Sequence, residues 1–152
     1  KEAWVKMKIN HITDTDMVTK LYQASKAGVK IDIVIRGNCS LVPGIKGLSE
    51  NIRCVGIIDR YLEHSRILIF ANGGKPRYFL GSADWMPRNL LNRIEVLTPV
   101  YDEELQADLM RTISYGMRDT TNGRFVDGKG TNNFVEGEPF RSQQELYKEY
   151  KK

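Results

Sequence analysis

The 152 residues carry 23 Lys and Arg against 19 Asp and Glu, for a net charge of +4, with 41% hydrophobic and 28% charged residues. This length suits one domain with its own core, and no apolar run approaches the roughly 18 residues of a membrane helix. The slight basic excess permits an anionic partner without demanding one. Cys39 and Cys54 lack CxxC spacing and a histidine close in sequence, so they form neither a disulfide framework nor a zinc site and read as free thiols of a reducing cytoplasm.

The first residues, Lys1-Glu2-Ala3-Trp4, show no initiator Met and no signal-peptide pattern, so the chain reads as a piece of a longer one. Trp4 to Ile9 alternates apolar residues with Lys6 and Lys8 and predicts a half-exposed strand. Asp14 is placed to cap a helix with Met17, Val18, Leu21, Tyr22 and Ala24 at helical spacing, ended by Gly28. Ile31 to Ile35 is a nearly continuous β-branched run, the mark of a strand buried on both faces. Strand, helix and buried strand together make a βαβ-like unit.

Arg36-Gly37 closes that run. A loop with Pro43, Gly44 and Gly47 leads to a strand within Asn51 to Ile58, with Ile52, Cys54 and Val55 inward. Arg66 to Phe70 and Arg77 to Leu80 are predicted to pair as a hairpin around Asn72-Gly73-Gly74. A further strand is expected at Arg93 to Leu97, and Asp102 opens an amphipathic helix carrying Leu105, Leu109, Met110 and Ile113. From Asp119 to Glu138 the chain is rich in Gly, Asn, Thr and charge, with Phe125, Val126, Phe134 and Val135 as apolar anchors. It reads as a loop-rich arm or loose hairpin, followed by a short charged helix from Ser142 to Lys152.

Two polar blocks stand out: Tyr61-Leu62-Glu63-His64-Ser65-Arg66, and Gly81 to Asn89. His64 falls between a strand end and the next buried strand, where α/β proteins place functional groups. An imidazole can move a proton or accept a phosphoryl group; it can equally do no more than hydrogen-bond a turn. His11, with no arginine beside it, is read as structural. Arg36 and Arg93 adjoin predicted strand ends, and Arg66 and Arg88 lie in the polar blocks. Guanidinium forks match phosphate oxygens, and several together would stabilise a transferring phosphoryl group. Any one of them, Arg60 above all, could instead be an ordinary surface charge. Asp84 suits either orienting an imidazole or arginine, or capping the turn before Trp85. Gly73-Gly74 lacks the GxxxxGK[ST] context of a phosphate loop.

Ala24 to Gly37, Gly47 to Arg53, Tyr61 to Arg66, Ser82 to Leu90 and Arg93 to Val96 together resemble the bacterial polyphosphate kinases that autophosphorylate on histidine. The resemblance is dense over residues 4–118 and looser beyond. It implies an α/β fold, a mixed β-sheet flanked by helices, similar to one half of a phospholipase D-like domain. Residues 1–118 would be the C-terminal catalytic domain, and 119–152 an arm and short helix of the same domain. The HxK signature of the phospholipase D superfamily appears as His64-Ser65-Arg66 and its GSxN element as Gly81-Ser82-Ala83-Asp84. These departures argue against a phosphodiesterase half-site.

The resemblance also implies a reaction, the reversible transfer of the terminal phosphate of ATP to polyphosphate. The phosphorylated histidine would lie upstream, leaving this piece inactive by itself. His64 would then be the catalytic second histidine facing it, with Arg36, His64 and Arg93 binding ATP phosphates and Arg66, Asp84 and Arg88 in support. Mg2+ would be held by ligands upstream, with no metal ligand in this chain. The implied partners are ATP or ADP, polyphosphate and the upstream domains, with a homo-oligomer for the full-length enzyme. Neither nucleic acid nor a transmembrane segment is implied, and the location would be cytoplasmic, with any membrane contact peripheral. A different class remains open, a non-catalytic module that binds polyphosphate as a polyanion.

Overall fold

The β-branched run from Ile31 to Ile35 lies inside a seven-stranded mixed sheet, seen in a computed structural model that describes residues 2–151. Lys1 and Lys152, the limits of the expected domain and arm, lie outside the described residues. In chain order the elements are β1 (Trp4–Ile9), α1 (Thr15–Lys26), β2 (Lys30–Ile35), β3 (Ile52–Ile57), β4 (Arg66–Phe70), β5 (Arg77–Gly81), α2 (Pro87–Asn92), β6 (Leu97–Val100), α3 (Glu103–Met117), β7 (Gly123–Phe125) and α4 (Ser142–Tyr150). The sheet order is β6-β5-β4-β1-β2-β3-β7. β1, β2 and β3 run parallel, and the other neighbours pair antiparallel.

Alternation along the strands sends side chains to two faces, and each face meets a helix. Met7, Ile9, Ile31, Ile33, Ile35, Cys54 and Leu68 pack with Leu21 of α1. Val34, Val55, Ile57, Ile67 and Ile69 pack with Ile113 of α3. A Cβ on Gly116 would lie 2.9 Å from a Val34 methyl, so glycine there lets α3 approach β2 closely. The Asp14 cap forms as expected, its carboxylate accepting from Met17 N at 3.0 Å, and Gly28 follows the helix with φ 88°. The Asp102 cap of α3 accepts from Leu105 N at 2.9 Å. The β4–β5 hairpin turns through Asn72–Gly74, where Asn72 and both glycines take positive φ.

Two expectations need correction. β1 is partly exposed only over Trp4 to Lys6: it is interior to the sheet between β4 and β2, and Met7, Lys8 and Ile9 are buried. Lys6 reaches Asp32 at 2.6 Å, and Lys8, only 6% exposed, pairs with Glu63. The basic residues that signalled solvent are therefore partners of carboxylates brought in from β2 and from the segment before β4. The strand expected at Arg93 to Leu97 begins instead at Leu97. β5 ends at Gly81, paired with Leu97. Val96 still accepts from Ser82 N at 3.0 Å, but its own N–H donates to the Ser82 hydroxyl at 3.1 Å instead of to a backbone carbonyl, so the ladder is not carried into residues 93–96.

The arm packs on this same sheet. β7 adds antiparallel to β3. Asp119, fully buried, accepts from the backbone N–H groups of Thr121, Asn122 and Gly123 and from both the N–H and hydroxyl of Ser142. One carboxylate therefore fixes both ends of the 20-odd-residue excursion by satisfying donors that burial would otherwise leave unpaired. α4 returns along α3, where the Tyr115 hydroxyl bonds Glu149 at 2.8 Å.

Candidate functional site

The C-terminal ends of β1 and β2, the start of β4 and the end of β5 fall on one edge of the sheet, the edge where open α/β sheets place ligands. Asn10 follows β1 and is 2% exposed. Its Oδ1 accepts from Arg36 Nε at 3.1 Å, which orients the guanidinium just after β2. Its Nδ2 has no hydrogen-bond partner among the described residues. A buried donor of this kind costs about 1–3 kcal/mol unless an oxygen from outside the protein takes it. Asn10 was not anticipated; its only signal was a polar residue directly after the strand.

Asp84 resolves as an orienting carboxylate. It is 5% exposed. Oδ1 accepts from Asn10 N at 2.9 Å and His11 N at 3.2 Å, and the two carboxylate oxygens take Arg66 Nε at 3.3 Å and NH2 at 3.1 Å. Burial would raise this carboxyl, but the hydrogen bond and charge of Arg66 and the two backbone N–H groups outweigh it and hold it below the usual carboxylate range. Arg66 NH1 in turn donates to the His64 carbonyl at 2.7 Å. Arg66 is therefore a bracket between β5 and the His64 backbone.

His64 itself is exposed, and its imidazole makes no hydrogen bond to the described residues. Bonding a turn is the work of the other histidine: His11 Nδ1 accepts from Asn38 N at 2.9 Å, and its ring lies where a Cβ on Gly37 would sit. The segment before His64 is clamped by the arm, which sequence reasoning did not connect with it. Arg141 bonds Asp59 at 2.9 and 2.5 Å. Gln143 receives Tyr61 N and donates to Tyr61 O and Glu63 Oε1. Glu63 holds Lys8, whose amine burial, and secondarily the Arg36 charge, brings down to about 8.

Arg93, exposed in the bend after α2, faces Glu95, whose carboxylate also bonds Ser82 Oγ and Asn89 Nδ2 and lies near Arg66. The Ser82 and Asn89 hydrogen bonds, ahead of the Arg93 and Arg66 charges, hold that carboxyl below its ordinary range. Arg88 is exposed on α2 and makes no ion pair among the described residues; the structure does not draw it into the cluster. Arg60 stacks over Tyr61 at 5.5 Å as a surface side chain.

Among the described residues no group of three or more His, Cys, Asp or Glu is placed to hold a metal ion. The edge carboxylates Glu63 and Asp84 are committed to Lys8 and Arg66, so these residues do not fit the implied Mg2+. What the edge offers is an oriented guanidinium, an unpartnered amide donor and a free imidazole, a set suited to an oxyanion.

The model of the polyphosphate kinase C-terminal domain 2 family matches residues 1–145. The chain belongs to the polyphosphate kinase family. It is 47% identical over 150 residues to the polyphosphate kinase of Vibrio vulnificus, covering 97% of this chain and 21% of that protein. It is 44% identical over 131 residues to that of Escherichia coli K12, covering 86% of this chain and 19% of that protein. The crystal structure of the Porphyromonas gingivalis polyphosphate kinase superimposes with a TM-score of 0.93 at 41% identity, over 98% of this chain and 23% of that one. The chain thus spans about a fifth of the length of its kinase relatives. NucT from Helicobacter pylori matches with a TM-score of 0.53 at 20% identity, over 74% of this chain and 76% of that one, a likeness of fold. The expected mixed α/β, phospholipase D-like architecture is borne out.

Proposed function

We propose that this chain forms one wall of a polyphosphate kinase active site, which transfers the terminal phosphate of ATP reversibly to polyphosphate through a phosphohistidine outside these residues. The observation that carries this reading is the strand-end cluster on one edge of the sheet: Arg36 is oriented by Asn10, Asp84 ties the Asn10 backbone to Arg66, and Arg66 holds the backbone of His64, whose imidazole makes no hydrogen bond to the described residues.

In the transfer, the bond between the terminal phosphorus and the ADP oxygen breaks as a bond to the upstream histidine nitrogen forms. Negative charge develops on the leaving oxygen and spreads over the equatorial ones. Arg36 neutralises that charge without reorganising, since Asn10 already fixes its plane, and Asn10 Nδ2 supplies a further donor. His64 donates a hydrogen bond or proton to the leaving oxygen and withdraws it in the reverse direction. Arg93 extends the positive wall, while Arg66 and Asp84 act through His64 as positioning residues. Mg2+ would be held by groups elsewhere in the polypeptide, because the carboxylates here are already paired.

Residues 1–118 are the catalytic unit in this reading. The arm from 119 to 152 belongs with it, because Arg141 and Gln143 hold the segment that carries His64. Two free thiols suit a reducing cytoplasm, where ATP is found. No helix among the described residues is long and apolar enough to cross a membrane.

Replacing Arg36 by alanine in a full-length enzyme carrying this segment is expected to lower turnover about tenfold or more. Steady-state assays in both directions read the effect. Unchanged turnover would remove Arg36 from the site and with it the reading of this edge.

A further inference from the structure

The edge that carries Arg36 does not end there. Beyond it, between β2, β3 and the arm, opens a cavity of about 430 Å³ that shares Arg36 with the cluster described above. Its second cation is Arg124 of β7, placed opposite Gly56 in the β3 register. Gly56 puts no side chain into the space beside it. Thr121, Asn122 and Asn132 add polar residues to the wall, and no Asp or Glu among the described residues lines it.

Arg124 is held in advance of any ligand. Its NH1 donates to Asn132 O at 2.9 Å, and its guanidinium lies 3.5 Å from the centre of the Phe134 ring. That stacking fixes a side chain that would otherwise lose much rotamer freedom on binding. Its Nε and NH2 carry no hydrogen bond to the described residues. Two guanidiniums without a counter-carboxylate, one of them already braced, make a local field for an anion longer than a single phosphate. One face of Phe134 is taken by Arg124, so the ring serves to fix the arginine more than to receive a nucleobase.

The sheet order gives this cavity a direction. Arg93 lies at the β6 end of the edge, His64 and Arg66 at β4, Arg36 at β2 and Arg124 at β7. A chain of phosphates laid along the β2 to β7 end of the edge meets Arg36 and then Arg124, whereas Arg66 is already committed to Asp84. We infer that the cavity under the arm, with Arg124 as its principal ligand, is a distal subsite for the polyphosphate chain, several phosphates removed from the transferred one. This rests on the kinase reading above and adds to it a site on the arm that selects for chain length.

The test is reverse-direction kinetics, ADP plus polyphosphate, in a full-length enzyme carrying Arg124→Gln, with tripolyphosphate and long-chain polyphosphate as alternative phosphate donors. Loss of a charge-assisted fork should raise KM for the long chain about tenfold more than KM for tripolyphosphate, with a smaller effect on kcat and partial recovery in Arg124→Lys. Asn132→Asp, which adds a carboxylate beside Arg124 on the same wall, should give the same length-selective rise, and it keeps the test alive if Arg124→Gln fails to fold. Equal KM changes for both donors in both variants would overturn the subsite. A rise confined to KM for ADP would overturn it too, by assigning the cavity to the nucleotide. Arg36→Ala in the same assay separates the two levels. If it loses turnover while the Arg124 and Asn132 variants show no length selectivity, only the subsite falls; if it too is silent, the kinase reading falls as well.

Discussion

His64→Ala in a full-length enzyme carrying this segment is expected to lower phosphoryl transfer about a hundredfold, the usual contribution of one positioned acid–base group, while stability moves by less than about 0.5 kcal/mol. The two halves of that expectation come from the same observation. The imidazole is exposed and makes no hydrogen bond within the described residues, whereas the His64 backbone is held through its carbonyl by Arg66. Removing the ring therefore removes chemistry and leaves packing untouched. His11→Ala should show the opposite pattern, since its ring accepts the Asn38 N–H and fills the space beside Gly37. Steady-state turnover paired with a denaturant melt reads both quantities. A His64 variant that melts early and keeps its turnover would reverse the roles assigned to the two histidines.

Asp84→Ala is expected to cost about 3 kcal/mol of folding stability, because it leaves the largely buried Arg66 guanidinium and the Asn10 and His11 N–H groups without their acceptor. Asp84→Asn, which keeps an acceptor oxygen, should cost less. The pH dependence follows from the direction of the shift. The folded-state pKa of Asp84 lies below its unfolded value, so its contribution is complete above the unfolded value near 4 and is lost as pH falls through the folded one. The stability gap between the unmodified chain and Asp84→Asn should therefore be full at pH 7 and narrow in acid below about pH 4. Urea melts across that range decide it; a gap that does not change with pH would mean that the carboxylate charge is not what holds Arg66.

Much of the fold was legible because local and tertiary preferences agree. The β-branched run of β2, the Asp14 and Asp102 caps, the Asn72-Gly73-Gly74 turn and the spacing of Leu109, Met110 and Ile113 each name an element whose form needs no distant partner to be guessed. β1 misled because period-two alternation reports only that two faces differ. It does not say whether the polar face meets water or meets Asp32 and Glu63 from other parts of the chain. Residues 93–96 misled for a related reason: β propensity was present, but a strand also needs a neighbour, and β5 had already ended.

The candidate site divides in the same way. Arg36 and His64 were visible as polar groups at predicted strand ends. Asn10 was hidden by its ordinary composition, and the clamp from Arg141 and Gln143 by a separation of about 80 residues in sequence that no local pattern spans. Asp84 could be placed only once the β1 and β5 ends were seen to meet through Trp85, whose N–H bonds His11 O and whose carbonyl receives Thr13 and Asp14.

The central claim is that this chain supports phosphoryl transfer without carrying the phosphorylated residue. It is tested most directly by giving a full-length enzyme that contains this segment ATP labelled in its terminal phosphate, then mapping the acid-labile phosphohistidine by peptide. The expected result is stoichiometric label on a histidine outside residues 1–152, with the peptide bearing His64 unlabelled and the label lost on chase with ADP. Stoichiometric label on His64 would contradict it and make this edge the nucleophile's own wall.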